Sequence, residues 1–183
     1  MLRLFAGIPL PSAVRESLGA LQTGIPGARW VAPESLHLTL VFIGEVDEGA
    51  AEDIDEALAA IRGPAFDLRL SEVGHFGNRK SARAIWAGVV RAEPLTRLQE
   101  KVEVALNHAG IDVERRKYKP HVTLARLRNA PVAKVGDFLE AHNTFAAGPF
   151  AVDRFVLFRS RLGSGGAVYE ILADYPLDGP AAD

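Results

Sequence analysis

One short pattern occurs twice in this chain and restricts its fold more than any other feature. Leu36-His37-Leu38-Thr39-Leu40 and Pro120-His121-Val122-Thr123-Leu124 each set a histidine and a threonine two residues apart among apolar neighbours. On a β-strand alternate side chains share a face, so each His and its Thr project together, about 7 Å apart, while the leucines and valine face a core. With 5 His and 5 Thr in 183 residues, roughly 0.14 His-x-Thr pairs are expected at random, against the two found. A single copy would fit a solvated strand carrying Thr for its β-propensity. Two copies read as the two halves of one phosphate site.

From His37 to His121 is 84 positions, nearly half the chain. The first motif strand, Leu36–Ile43, is followed by a helix capped by Asp47 with apolar residues at Ala51, Ile54, Leu58 and Ile61. The second, His121–Leu127, is followed by a helix over Pro131–Leu139 with proline in its first turn. Leu2–Ile8 reads as an opening strand and Pro11–Leu21 as a helix. The spacing predicts strands over Phe66–Val73 and Ala82–Val90, joined by a turn at Gly74–Asn78. Glu93–Ala109 carries the strongest helical stripe, and Phe150–Phe158 and Ala167–Ala173 close the chain as strands around Gly163-Ser164-Gly165-Gly166. The expected class is α+β, a bilobal duplication in which two antiparallel sheets flank a central cleft with helices outside. Residues 1–177 are expected to form this one domain, with a disordered tail over 178–183.

Composition narrows the chemistry. There is no Cys, so neither disulfides nor thiolate metal sites can form. No apolar run reaches spanning length, and Met1–Ile8 is too short and wrongly flanked for a leader, so a cytoplasmic protein with no membrane contact is expected. Net charge is only −2, yet Arg115, Arg116, Lys117, Lys119, Arg126 and Arg128 bracket the second motif with no acid among them. Such a stripe beside the histidines attracts a polyanion locally.

Opening a cyclic phosphodiester with water needs one group to take a proton from water and another to protonate the departing alkoxide across the phosphorus. Imidazole, with an ordinary pKa of about 6.5, does either near neutral pH. His37 and His121 on facing strands can straddle the phosphorus, and the Thr39 and Thr123 hydroxyls can bond the non-bridging oxygens where charge builds. Metal-site grammar is missing: there is no His-x-His and no His-Glu-x-x-His, so neither metal nor cofactor is expected.

Leu36-His37-Leu38-Thr39-Leu40 and Pro120-His121-Val122-Thr123-Leu124-Ala125-Arg126 resemble the paired motifs of the 2H phosphoesterases. More narrowly, the chain is similar to the bacterial and archaeal RNA 2′,3′-cyclic phosphodiesterases, also called 2′-5′ RNA ligases. Arg3-Leu4-Phe5, Arg29-Trp30-Val31, Gly74-His75-Phe76-Gly77, Ile85-Trp86-Ala87-Gly88-Val89 and Tyr169-Glu170-Ile171-Leu172 extend the likeness over nearly the full length. The resemblance implies a bilobal fold and hydrolysis of terminal 2′,3′-cyclic phosphates to 2′-phosphates. It also implies ATP-independent, reversible 2′-5′ joining. Its partner would be RNA with a cyclic phosphate end, tRNA halves among them, and its state a monomer. By the family pattern His37 is the proton donor and His121 the acceptor. Position 41 is Val, where the family often carries a basic residue.

Strand parity puts Phe42 with the core leucines and turns Arg126 away from His121 unless the strand twists. Arg126 stands as a substrate-binding candidate on the family pattern. Tyr118 and Phe76 are candidates for stacking on a base. Trp86, mid-strand, is expected in the core, and His75, His108 and His142 at the surface or in turns. Three other readings compete. One is a non-catalytic RNA-binding module, which has no use for two proton carriers. Another is an ATP-dependent ligase, for which there is neither a Gly-x-x-x-x-Gly-Lys loop nor a Lys-x-Asp-Gly segment. The third is a phosphodiesterase for another small cyclic phosphate, such as ADP-ribose 1″,2″-cyclic phosphate.

Overall fold

A computed structural model describes residues 1–78 and 80–178. In chain order these form β1 (Leu2–Pro9), α1 (Ser12–Gly19), β2 (Arg29–Trp30), a 3₁₀ turn (Pro33–Ser35), β3 (His37–Val46), α2 (Glu48–Ala59), β4 (Phe66–Asn78) and β5 (Ser81–Val89). Then follow α3 (Glu93–His108), β6 (His121–Arg126), α4 (Val132–Ala141), β7 (Ala146–Val152), β8 (Arg154–Gly163) and β9 (Gly166–Pro176). The class is α+β, with two sheets ordered β3-β1-β8-β9 and β2-β6-β5-β4-β7 and every ladder antiparallel. Each sheet joins strands of both halves of the chain, β5 beside β6 in one and β1 beside β8 in the other. The two halves therefore cannot part without breaking both sheets.

The elements follow from local chemistry. Asp47 caps α2 by accepting from the Ala50 N–H at 2.8 Å, a contact worth about 1 kcal/mol. Ile54 and Leu58, on the inner stripe of that helix, are wholly buried. In the motif strands Leu38, Leu40, Val122 and Leu124 join the main core. Burying one such side chain contributes about 1.5–3 kcal/mol, so the backbone under each histidine is held firmly.

Three sequence expectations change here. Phe150–Phe158 is not one strand: it breaks at Asp153, β7 pairing with β4 in one sheet and β8 with β1 in the other. Gly74–Asn78 is not a turn but the second half of β4, paired with β5. Its glycine serves a close approach, since a Cβ on Gly74 would lie 2.3 Å from the Trp86 ring. Finally, Asp178 belongs to the fold, because it bridges Pro64 and its N–H donates to the Gly63 carbonyl at 2.8 Å. The rest of the expected tail, 179–183, lies outside the described residues.

The parity argument fails just beyond the threonine of each motif strand, and for the same reason. Between Ala6↔Val41 and Gly7↔Thr39 the β1–β3 ladder skips Leu40; between Ile85↔Ala125 and Trp86↔Thr123 the β5–β6 ladder skips Leu124. These are β-bulges, which put two consecutive residues on the core side and reverse the alternation beyond them. Leu40-Val41 and Leu124-Ala125 are accordingly all buried, and Phe42 and Arg126 return to the face that carries His and Thr. Phe42 is 67% exposed and not a core residue. Val41 packs on the core side, so in this chain that position offers the cleft nothing.

Candidate active site

β3 and β6 approach one another where the two sheets meet. Tyr118, in the lead-in to β6, bridges them: its hydroxyl donates to the Thr39 carbonyl at 2.8 Å, and its ring packs on the main core. Burial pushes its phenol pKa far up, so it stays a donor. Tyr118 thus braces the two motif strands.

Both histidines are anchored alike. His37 Nδ1 lies 2.7 Å from the Ser35 carbonyl and His121 Nδ1 lies 2.7 Å from the Lys119 carbonyl, in each case two residues back. A carbonyl only accepts, so Nδ1 carries the hydrogen in both rings and Nε2 is the nitrogen left to exchange a proton. His37 Nε2 is 3.1 Å from Thr39 Oγ1. When the ring is neutral the hydroxyl donates to Nε2; when it is charged, Nε2–H donates and the hydroxyl hydrogen is released for another acceptor. Thr123 makes no such bond among the described residues.

Burial, the largest cause, holds both imidazoles below their ordinary pKa of 6.5, against the opposing effect of each carbonyl partner. The charges of His121 and Arg126 lower His37 further. Beyond the bulge Arg126 stands on the face of β6 that carries His121 and Thr123.

The ring neighbours differ. His37 sits among Phe5 at 4.8 Å, Phe158 at 5.4 Å and Tyr169 edge-on at 4.9 Å. His121 has Phe76 edge-on at 4.8 Å and Trp86 at 6.4 Å. Phe76 is half-buried against this ring. Trp86 is also half-buried and on the cleft face, not in the core, because its ladder partner is Thr123. Phe5, Phe158 and Tyr169 were given no site role from the sequence, and Trp86 and Phe42 were placed in the core, because their placement depends on cross-strand register. Among the basic stripe, Arg116 pairs with Glu114 at 2.6 Å. Among the described residues no three His, Asp or Glu side chains gather in a way that could hold a metal ion, and no helix is long and apolar enough to cross a membrane.

A family model described as "LigT like Phosphoesterase" matches residues 8–86 and 89–169. A Thermotoga maritima protein named RNA 2′,3′-cyclic phosphodiesterase is 36% identical over 155 residues, 84% of this chain and 81% of that one. A Thermus thermophilus protein of the same name is 35% identical over 190 residues, covering 97% of this chain and 91% of its own. Among solved structures, Escherichia coli LigT in its apo form superposes with a TM-score of 0.78 at 29% identity, over 97% of this chain and 98% of its own.

Proposed function

The chain belongs to the LigT-like phosphoesterase family, and on that footing we propose that it is an RNA 2′,3′-cyclic phosphodiesterase working by paired-histidine acid–base catalysis without a metal. The observation that carries the reading is the matched pair of imidazoles on meeting strands, each with Nδ1 tied to a carbonyl and Nε2 left for the proton. Relatives named for this activity span most of the chain, and E. coli LigT has been crystallised with 3′-AMP.

In the proposed step water attacks phosphorus in line with the 3′ oxygen. His121 Nε2 takes the proton of the water, the new P–O bond forms and the P–O3′ bond breaks. His37, protonated at Nε2, gives its hydrogen to O3′, leaving a 3′-hydroxyl and a 2′-phosphate. Solvent then resets both rings. Thr39 and Thr123 donate to the non-bridging oxygens, where Thr39 is freed for the task once His37 is charged. Arg126 adds a fixed positive charge. In the free protein His37 is biased toward neutrality, so the anionic substrate supplies the field that protonates it. An RNA 5′-hydroxyl in place of the water would give a 2′-5′ linkage by the same exchange, with no nucleotide consumed.

The test is incubation of the purified protein, in excess EDTA, with a 2′,3′-cyclic mononucleotide and a cyclic-phosphate-ended oligonucleotide, followed by identification of the product isomer. A 2′-phosphate from both is expected. A 3′-phosphate would reverse the donor and acceptor, and oligonucleotide binding without turnover would leave an RNA-binding module.

A further inference from the structure

Arg29 was visible in the sequence only as part of a segment, with no role attached. In the structure its Cα partner across the β2–β6 ladder is Arg126. Ladder partners share a face, and beyond the Leu124 bulge Arg126 has returned to the face of His121 and Thr123. Arg29 therefore projects from that same face, one strand further out. Neighbouring Trp30 pairs with Ala125 on the core side and packs on Phe138 of α4, ring centroids 5.8 Å apart. That packing pins a strand of only two residues and so fixes where Arg29 stands.

Like charges directly opposite on a ladder destabilise it. Both arginines are exposed, and among the described residues neither has a carboxylate within salt-bridge distance. Two arginines at paired ladder positions, neither with a carboxylate partner, can offer their guanidinium groups to one anion that accepts bidentate hydrogen bonds. We propose that Arg29 and Arg126 form a second anion subsite, at the β2 edge of the cleft, that takes the internucleotide phosphate next to the cyclic end of an RNA strand. The position favours that phosphate over the reacting one. Arg126 lies a strand step of about 7 Å beyond Thr123, and Arg29 lies at the open sheet edge, where a polynucleotide can leave. The cyclic phosphate terminates the strand, so its only neighbouring phosphate is on the 5′ side. The subsite would make the protein prefer an RNA end to a cyclic mononucleotide.

This inference rests on the phosphodiesterase reading, and the experiment separates the two. Wild type and Arg29→Met are compared on a 2′,3′-cyclic mononucleotide, on a dinucleotide with the same cyclic end, and on that dinucleotide with a neutral methylphosphonate linkage. Wild-type turnover of the mononucleotide decides the reading by itself. For the subsite, the kcat/KM ratio of dinucleotide to mononucleotide should fall about 10-fold to 100-fold in Arg29→Met. The fall should appear chiefly in KM, and Arg29→Lys should restore part of it. The neutral linkage should lower the wild-type ratio, and should lower the variant's ratio by less, since only Arg126 then remains to feel the charge. A ratio that Arg29→Met does not move would overturn the proposal, as would a wild type indifferent to the neutral linkage.

A 2′-phosphate-ended oligonucleotide supplies a readout independent of turnover. Arg29→Met should flatten its log K against log salt slope by about 0.7, one phosphate contact on a single strand. An unaltered slope counts against the subsite. The variant should melt no lower than wild type, since it removes a like-charge pair; a lower melting temperature would mark Arg29 as a structural residue instead.

Discussion

β3 and β6 are nearly the same strand made twice. Each begins with a histidine whose Nδ1 bonds the carbonyl two residues back. Each buries the residue after it, turns a threonine to the cleft, and bulges at the following leucine. They part at the residue beyond the bulge, which is Phe42 in β3 and Arg126 in β6. The neighbouring strands part with them, since Phe42 faces Phe5 where Arg126 faces Ala84. At this position one wall of the cleft thus carries an aromatic ring and the other a guanidinium. What the two strands share suits a proton relay across phosphorus, which is itself nearly symmetric. What they do not share suits a nucleotide, which has a base on one side and phosphate on the other.

The comparison breaks most visibly if the histidines are not equivalent. His37→Ala and His121→Ala should each cost about 10²–10⁴ in kcat, and the double variant far less than the product of the two. Both rings face the cleft, so neither change opens a core cavity. A single variant holding more than about a tenth of the wild-type rate would show that its ring is not a proton carrier.

The threonines come next, and here the strands should begin to diverge. Thr39→Val and Thr123→Val each remove a hydroxyl aimed at the phosphate, at about 10–10³-fold in kcat. Only Thr39 bonds its histidine's Nε2. Its loss should therefore also move one limb of the pH–rate profile, whereas Thr123→Val should lower the profile without displacing it.

A smaller effect tests the divergent position directly. Phe42→Ala removes an exposed ring that contributes little to the core, so the protein should keep its melting temperature. A stacked base contributes about 1–3 kcal/mol. The loss should fall on KM, more for purine than for pyrimidine cyclic nucleotides. Arg126→Met should be insensitive to the base and should weaken a cyclic-ended dinucleotide more than a cyclic mononucleotide.

How much of this could be read without coordinates depends on which physical rule was in play. Period-two alternation was enough to place His37, Thr39, His121 and Thr123 on open faces, and helical periodicity with Asp47 placed α2. The same alternation, carried two residues too far, put Phe42 in the core and aimed Arg126 away, because a bulge leaves no mark in an all-apolar Leu-Val or Leu-Ala pair. The apolar run from Phe150 to Phe158 concealed a change of sheet, signalled only by Asp153. Trp86 looked like core because a large aromatic in mid-strand usually is. It faces the cleft because Gly74, on the next strand, leaves room for the ring to lie flat. Arg29 depended on a two-residue strand whose pairing no local pattern announces.

The finest test of the comparison is electrostatic. Burial lowers the pKa of both histidines below 6.5, so between each folded value and 6.5 the unfolded chain binds more protons than the native one. Native stability therefore rises with pH through that window. Acidification should begin to destabilise the protein as pH falls through 6.5, and the loss should level off once pH is below the folded values. Replacing either ring with Asn should flatten this slope in urea melts. The strands differ in one further respect, since the Arg126 charge depresses His37 in addition to burial and the His121 charge. Arg126→Met should consequently raise the His37 midpoint in an NMR titration of the ring protons. A His37 midpoint indifferent to Arg126 would mean that the guanidinium does not reach across the cleft. The bulge beyond Thr123 would then turn the arginine toward the β2 edge alone.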